Sequence, residues 1–469
     1  MFWTEEKLHA RVVELEPFRY RDPIRIGLWL AKPDPDGRNG ARPPIDGGWE
    51  EARLGDRWQG RDRYLWLSAD VAIPSEWTGR KAVGLFDFGK TEAGNCGGFE
   101  ALLYLNGEPY QGVDGNHKEV FLPEEAAGQS VSLIFRLWSG LEGGGAPREQ
   151  EHRLSRSELA WFDEPTDDLY YTARAVLATV KELAKEDPAH QALLTALDRA
   201  LLRVDWAKPG SERHYDTIAE ARDLLRSELG RIGKSHAVTV TTVGHTHIDV
   251  AWLWRLKHTR EKSARSFSTV LRLMELYPEY TFLQSQPQLY AYIKEDYPDI
   301  YAAMKEKIEE GRWEAGGAMW LEADCNIPSG ESLVRQLLFG TRYLAREFGA
   351  KCRYLWLPDV FGYSWALPQI LKQSGIDTFM TTKISWNQYN RLPHDTFFWR
   401  GIDGTELLTH FITTPEQSDK WWYTYNGEVT PFTVKGIWDG YRDKNVNREL
   451  LLAYGYGDGG GGGGGRNKR

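Results

Sequence analysis

The stretch Ala237-Val-Thr-Val-Thr-Thr-Val-Gly-His-Thr-His-Ile-Asp-Val-Ala-Trp252 decides the fold. Val238 and Val240 alternate with threonines, the pattern of a β-strand, and Gly244 ends it. His245, His247 and Asp249 then follow at alternate positions. Alternate residues of an extended chain share a face, so imidazole and carboxylate can converge on one cation. The stretch predicts a strand with three candidate metal ligands at its carboxyl end.

Downstream, helical and strand patterns alternate. Phe267, Val270, Leu271 and Met274 mark one helix face, 281–284 reads as a strand, 289–308 as helical and 313–316 as a strand. Ser329 opens a helix that Gly349 closes, and strands at 353–357 and 378–382 flank a helix at 367–374. Residues 396–400 and 405–411 read as a hairpin, and 450–454 as a buried strand that delivers Asp458. This alternation predicts an α/β domain, a mostly parallel sheet covered by helices. Polar residues follow the strand ends: His247 and Asp249, then Gln284 to Gln286, then Asp324 and Asn326, then Asp359. In such sheets the site lies beyond the carboxyl ends of the strands. Asp359, set among aromatics in Trp356-Leu-Pro-Asp-Val-Phe-Gly-Tyr363, is a candidate carboxylate nucleophile for the anomeric carbon of a sugar.

Upstream, short β-type runs at 64–71, 82–88, 99–105 and 131–137, with the hairpin signal Asn106-Gly107, predict an antiparallel β-sandwich-like domain. Three helical segments follow, each with apolar residues at helical spacing. The division expected from sequence is an N-terminal extension at 1–48, the sandwich at 49–145, a helical linker region at 160–232 and the α/β domain at 235–469.

Composition bounds the partners. The 469 residues carry a formal net charge of −9, which argues against nucleic acid, and no apolar run is long enough to span a membrane. Cys96, Cys325 and Cys352 lack metal-site or disulfide spacing, and the charged start lacks the apolar core of a secretory leader. A cytoplasmic location is expected. Twenty tryptophans are compatible with sugar stacking, though most such residues fill cores.

Four ordered motifs carry a resemblance. His245-Thr-His-Ile-Asp249 with Trp252, Gly317-Ala-Met-Trp-Leu-Glu-Ala-Asp-Cys-Asn-Ile-Pro-Ser-Gly-Glu331, Leu357-Pro-Asp-Val-Phe-Gly362 and Gly455-Tyr-Gly-Asp-Gly-Gly460 together resemble α-mannosidases of glycoside hydrolase family 38, of the cytosolic and bacterial type. The resemblance implies a seven-stranded α/β domain that binds one zinc ion. It makes His247 and Asp249 zinc ligands, and Asp359 both a ligand and the nucleophile of a retaining mechanism with a glycosyl-enzyme intermediate. It implies Trp252 as a platform beneath mannose, Asp324 as a sugar-binding carboxylate, Asp458 as the candidate acid/base, and His245 as a positioning neighbour. The implied substrate is an oligosaccharide with terminal α-mannose; homo-oligomerisation stays open.

The same resemblance implies a further zinc-ligand histidine, a helical domain and a large β-domain beyond residue 469. His258, His394 and His410 sit in no matching motif, and Gly459 to Gly465 with the basic Arg466-Asn-Lys-Arg469 read as a C-terminal truncation. Two alternatives accompany this reading: a metal-dependent amidohydrolase, for which His-x-His after a first strand is also an opening signature, and an inactive mannose-binding fragment.

Overall fold

A computed structural model describes residues 4–89, 98–233, 236–416 and 422–457. Its N-terminal part is a sandwich of antiparallel strands. A six-stranded sheet runs in the order Glu50–Arg53, Leu28–Asp34, Tyr64–Ala72, Ser130–Trp138, Glu100–Leu105, Glu108–Asp114. A four-stranded sheet runs Tyr20–Arg25, Arg156–Phe162, Ala82–Asp87, Glu119–Phe121. Between them lies a core rich in aromatics, where Trp29 makes edge contacts to Phe86, Phe88 and Phe135. Asn106 and Gly107 turn the Glu100–Leu105 and Glu108–Asp114 hairpin with φ of 53° and 90°, the two positive values a tight hairpin loop requires.

Two boundaries read from sequence change. The segment 1–48 is not an extension, because Leu28–Asp34 joins the six-stranded sheet and buries Trp29 at its centre. The sandwich also continues past 145, since Arg156–Phe162 pairs with both Tyr20–Arg25 and Ala82–Asp87. The proline- and glycine-rich run at 32–44 overlaps the end of Leu28–Asp34, and the apolar Leu28-Trp-Leu-Ala before it shows no alternation that would mark a strand. Helix Thr4–Leu15 packs Leu8, Val12 and Leu15 into one core with helices Glu164–Glu182, Pro188–Leu201 and Glu212–Arg231.

The C-terminal part is α/β. Its described strands divide between two four-stranded sheets rather than forming one sheet of seven. Trp313–Ala315, Phe282–Gln284, Thr239–His245 and Glu449–Tyr454 are mutually parallel. Tyr354–Trp356, Thr378–Thr381 and Glu406–Phe411 are parallel, with Thr396–Arg400 antiparallel at the edge. No ladder joins Trp313–Ala315 to Tyr354–Trp356; beyond the strand end Gly317 turns at φ 83° and its carbonyl accepts from the Trp356 N–H at 3.4 Å. The Tyr354 hydroxyl donates to Glu314 across that gap at 2.5 Å, and Leu283, Trp356, Met380, Ile412 and Ala453 fill the space between the sheets.

Helix Leu256–Leu276 joins the two parts. Its Arg265 and Thr269 lie against the sandwich at Gly112, where an added Cβ would stand 2.7 Å from the Arg265 carbonyl oxygen. Backbone cannot yield there as a flexible side chain can. Gly112→Ala is therefore expected to cost about 1–3 kcal/mol and to lower the thermal unfolding midpoint. Gly47→Ala, with nothing within 4 Å, should stay within about 0.5 kcal/mol of the parent. Equal midpoints for the two variants would refute the close packing.

Candidate active site

Strand Thr239–His245 ends at the site, and the loop 246–254 carries His247 and Asp249 forward. His245 is still in the strand, and both its ring nitrogens are engaged. Nδ1 donates to the Leu283 carbonyl at 3.0 Å, and Nε2 accepts from the Trp356 indole at 3.3 Å. Burial pushes its pKa down to about 4, so the ring is neutral and has no nitrogen left for a metal.

His247 is placed differently. Its Nδ1 donates to Glu322 at 2.5 Å, which leaves Nε2 buried without a hydrogen-bond partner. Nε2 faces Asp249 and Asp359, each with an oxygen at 3.5 Å. Burial disfavours the imidazolium, yet the carboxylates of Glu322 and Asp249 outweigh it and hold the pKa well above the usual range. An imidazole drawn so strongly toward positive charge marks a place that wants a cation.

One potential ligand atom from each of His247, Asp249 and Asp359 lies within 4.8 Å of the others, and no further group of this kind occurs among the described residues. The donor set suits zinc. In a tetrahedral shell with bonds of about 2.0–2.1 Å the ligand atoms stand about 3.4 Å apart, close to the 3.5 Å from Nε2 to each carboxylate. Glu322 fixes the imidazole from behind, the usual partner of a metal-binding histidine. It is itself held, for the Ser285 hydroxyl donates to it at 2.6 Å and the Gln286 side chain accepts from its N–H at 3.3 Å. Gly317 lets the chain pass here, since a Cβ would lie 2.6 Å from that of Ser285.

Asp359 follows strand Tyr354–Trp356 and is bound on its other oxygen by Lys383 at 2.6 Å. The ammonium also lies 3.5 Å from the centre of the Trp386 ring. Trp252 stands on the same loop as His247 and Asp249, 48% exposed and edge-on to Trp254 at 5.7 Å. Asp324 is exposed, and its carboxylate accepts from the N–H groups of Asn326 and Ile327, closing its own turn. The buried carboxylate that reaches His247 is instead Glu322, two residues earlier. Asp458 lies outside the described residues. His258 binds Asp62, His394 binds Asp443 and His410 binds Thr396, so none of them joins the trio.

Sequence reasoning passed over Glu322 and Lys383. Each is a charged residue a few positions past a strand end, Trp313–Ala315 and Thr378–Thr381. That was the cue by which Asp359 was found.

A β-sandwich packed on an α/β domain carries, at its strand ends, a histidine–carboxylate cluster that could hold a metal ion. The comparisons narrow this. Residues 237–467 match the N-terminal domain of the glycosyl hydrolases family 38, and residues 36–138 match the alpha-mannosidase jelly roll domain; the chain belongs to family 38. It is 33% identical over 425 residues to "Alpha-mannosidase G" of Dictyostelium discoideum, covering 87% of this chain and 37% of that one. It is 36% identical over 374 residues to human "Alpha-mannosidase 2C1", covering 77% and 34%. An "Alpha-mannosidase" of Saccharomyces cerevisiae is 34% identical over 364 residues, covering 74% and 33%. The chain thus spans about a third of the length of these relatives. No helix among the described residues is long and apolar enough to cross a membrane.

The two histidines should differ in how they link stability to pH. His245, whose folded pKa is about 4 against a usual 6.5, disfavours the folded state as pH falls from 6.5, reaching about 3 kcal/mol near pH 4. The raised pKa of His247 acts oppositely, stabilising below 6.5 and losing that contribution as pH rises through the folded value. In chelator-treated protein, urea midpoints of the parent should fall more steeply between pH 6.5 and 4.5 than those of His245→Gln. Parallel profiles would show that His245 is not held neutral.

Proposed function

We propose that this chain carries the metal and nucleophile side of a zinc-dependent retaining α-mannosidase, acting in the cytoplasm on oligosaccharides with terminal α-mannose. The observation that carries the reading is the convergence of His247 Nε2, Asp249 and Asp359 at the strand ends. Its setting supports it: an exposed indole, Trp252, on the ligand loop, and α-mannosidases among the relatives.

Asp359 is the nucleophile, its charge balanced by Lys383 on one oxygen while the other faces the His247 ring. Its attack on the anomeric carbon gives a glycosyl-enzyme ester, which water then hydrolyses with retention. Asp458 is the candidate acid/base that protonates the leaving oxygen and later activates that water. Trp252 stacks on the apolar face of the sugar. Asp324 is carried as a sugar-binding candidate, although its present hydrogen bonds serve its turn. His247, Asp249 and Asp359 would hold the zinc ion, which would supply Lewis-acid chemistry beside the sugar.

Hydrolysis of an aryl α-mannoside, with added zinc and after chelation, tests the reading. The parent should cleave with zinc and lose activity on chelation, and Asp359→Asn should fall by roughly a thousandfold or more. Cleavage by Asp359→Asn at the parental rate would rule out this nucleophile. A parent that binds mannose but never cleaves would leave the mannose-binding fragment as the better description.

A further inference from the structure

The loop that carries Asp249 and Trp252 is tied down by one buried hydroxyl. Thr259 donates to the Asp249 carbonyl at 3.0 Å and accepts from the Ala251 N–H at 3.1 Å and from the Trp254 indole at 3.0 Å. Between the ligand and the tryptophan, Ala251 sits at φ 70°, a conformation alanine avoids unless its surroundings impose it. Thr259 is the fourth residue of helix Leu256–Leu276, so the loop is only as fixed as that first turn.

The first turn closes on itself only in part, the Arg255 N–H donating to His258 Nδ1 at 3.1 Å. It contains no acidic residue, and the cations Arg255 and Lys257 stand at a helix end whose dipole favours anions. The missing anion comes from the jelly roll. Asp62 receives Arg255 at 2.8 Å, Lys257 at 3.1 Å and His258 at 2.7 Å. Asp62 is in turn fixed by the Trp138 indole at 3.0 Å and by its own N–H on the Gly140 carbonyl at 3.1 Å. Trp254, at the far end of the loop, is buried against Tyr64, Trp138 and Leu141 of the same domain.

We propose that Asp62 of the jelly roll is a positioning residue for the site, fixing through the helix start and Thr259 the loop on which Asp249 and Trp252 stand. This rests on the reading of Asp249 as a ligand and Trp252 as a sugar platform. On this view the sandwich is part of the apparatus that presents metal and sugar groups, and it acts without touching either.

The test uses the full chain and two readouts, amide hydrogen exchange over residues 248–254 and zinc affinity by competition with a chromophoric chelator. Asp62→Asn, which keeps the shape and removes the charge, should speed exchange across the loop at least tenfold and weaken zinc binding about tenfold. Asp299→Asn removes an exposed contact between the same two domains, the pair with Arg42, and should leave both readouts near the parent. Parental exchange in Asp62→Asn, or equal loosening in Asp299→Asn, overturns the proposal. Should Asp62→Asn fail to fold, the Thr259 variants decide: Thr259→Val should release the Ala251 amide while Thr259→Ser retains its protection, and identical exchange in the two overturns the clamp. Faster loop exchange with unchanged zinc affinity would uphold the clamp and sink Asp249 as a ligand.

Discussion

Charge buried along helix Leu256–Leu276 is the constraint on which the arrangement of the molecule depends. Glu261, Lys262 and Arg265 lie in its buried middle, where an unpaired ion is prohibitively costly. Each finds its partner in the sandwich or against it. Lys262 and Arg265 meet Glu100, and Glu261 meets Arg136 at 3.2 Å, which also binds Asp34 at 2.9 Å. Such pairs add little net stability over well-packed apolar residues, but breaking one strands the other charge at about 3–5 kcal/mol. They therefore act as a registration device. They fix how the sandwich sits on the helix, and the helix begins where the loop carrying His247 and Asp249 ends.

That placement explains why so short a loop can hold a defined geometry. From Thr246 to Trp254 the chain has no ladder of its own, and its polar groups are satisfied largely from neighbouring elements. Gln284 donates to the Thr246 carbonyl, Gln286 to the Ile248 carbonyl and Thr259 to the Asp249 carbonyl. Three strand or helix ends thus read out the loop residue by residue. Around it, Asp249, Asp359 and Glu322 set three carboxylates against one imidazole and one ammonium. Lys383 and Glu322 lie behind Asp359 and His247 and face their outer atoms, so the inner atoms His247 Nε2 and one oxygen of Asp359 remain directed at a common point.

The α/β character was legible because period-two runs and 3.6-residue faces alternate from Thr239 onward, and helix Gly330–Phe348 is bracketed by a serine cap and a left-handed Gly349. The sandwich was legible from its central strands and from Asn106-Gly107. Its first strands were not, because Leu28-Trp-Leu-Ala is nearly all apolar and carries no alternation to count. In the site, His247, Asp249 and Asp359 could be found from strand ends because each stands close after one. Glu322 and Lys383 could not be told from surface charges. Their burial comes from packing by distant segments, Ser285 and Gln286 for one and Trp386 for the other.

The two histidines of the opening motif show what spacing alone leaves out. Equal projection at alternate positions requires the chain to stay extended through Asp249, and the strand ends at His245. His245 is still inside the sheet, where the neighbouring strand offers a carbonyl to one nitrogen and Trp356 an indole to the other. His247 stands beyond the last ladder bond, so no strand can claim its ring, and a single carboxylate orients it with the second nitrogen free. One step of the pleat thus separates a residue that builds the floor from one that faces the site, and where the strand ends assigns the roles.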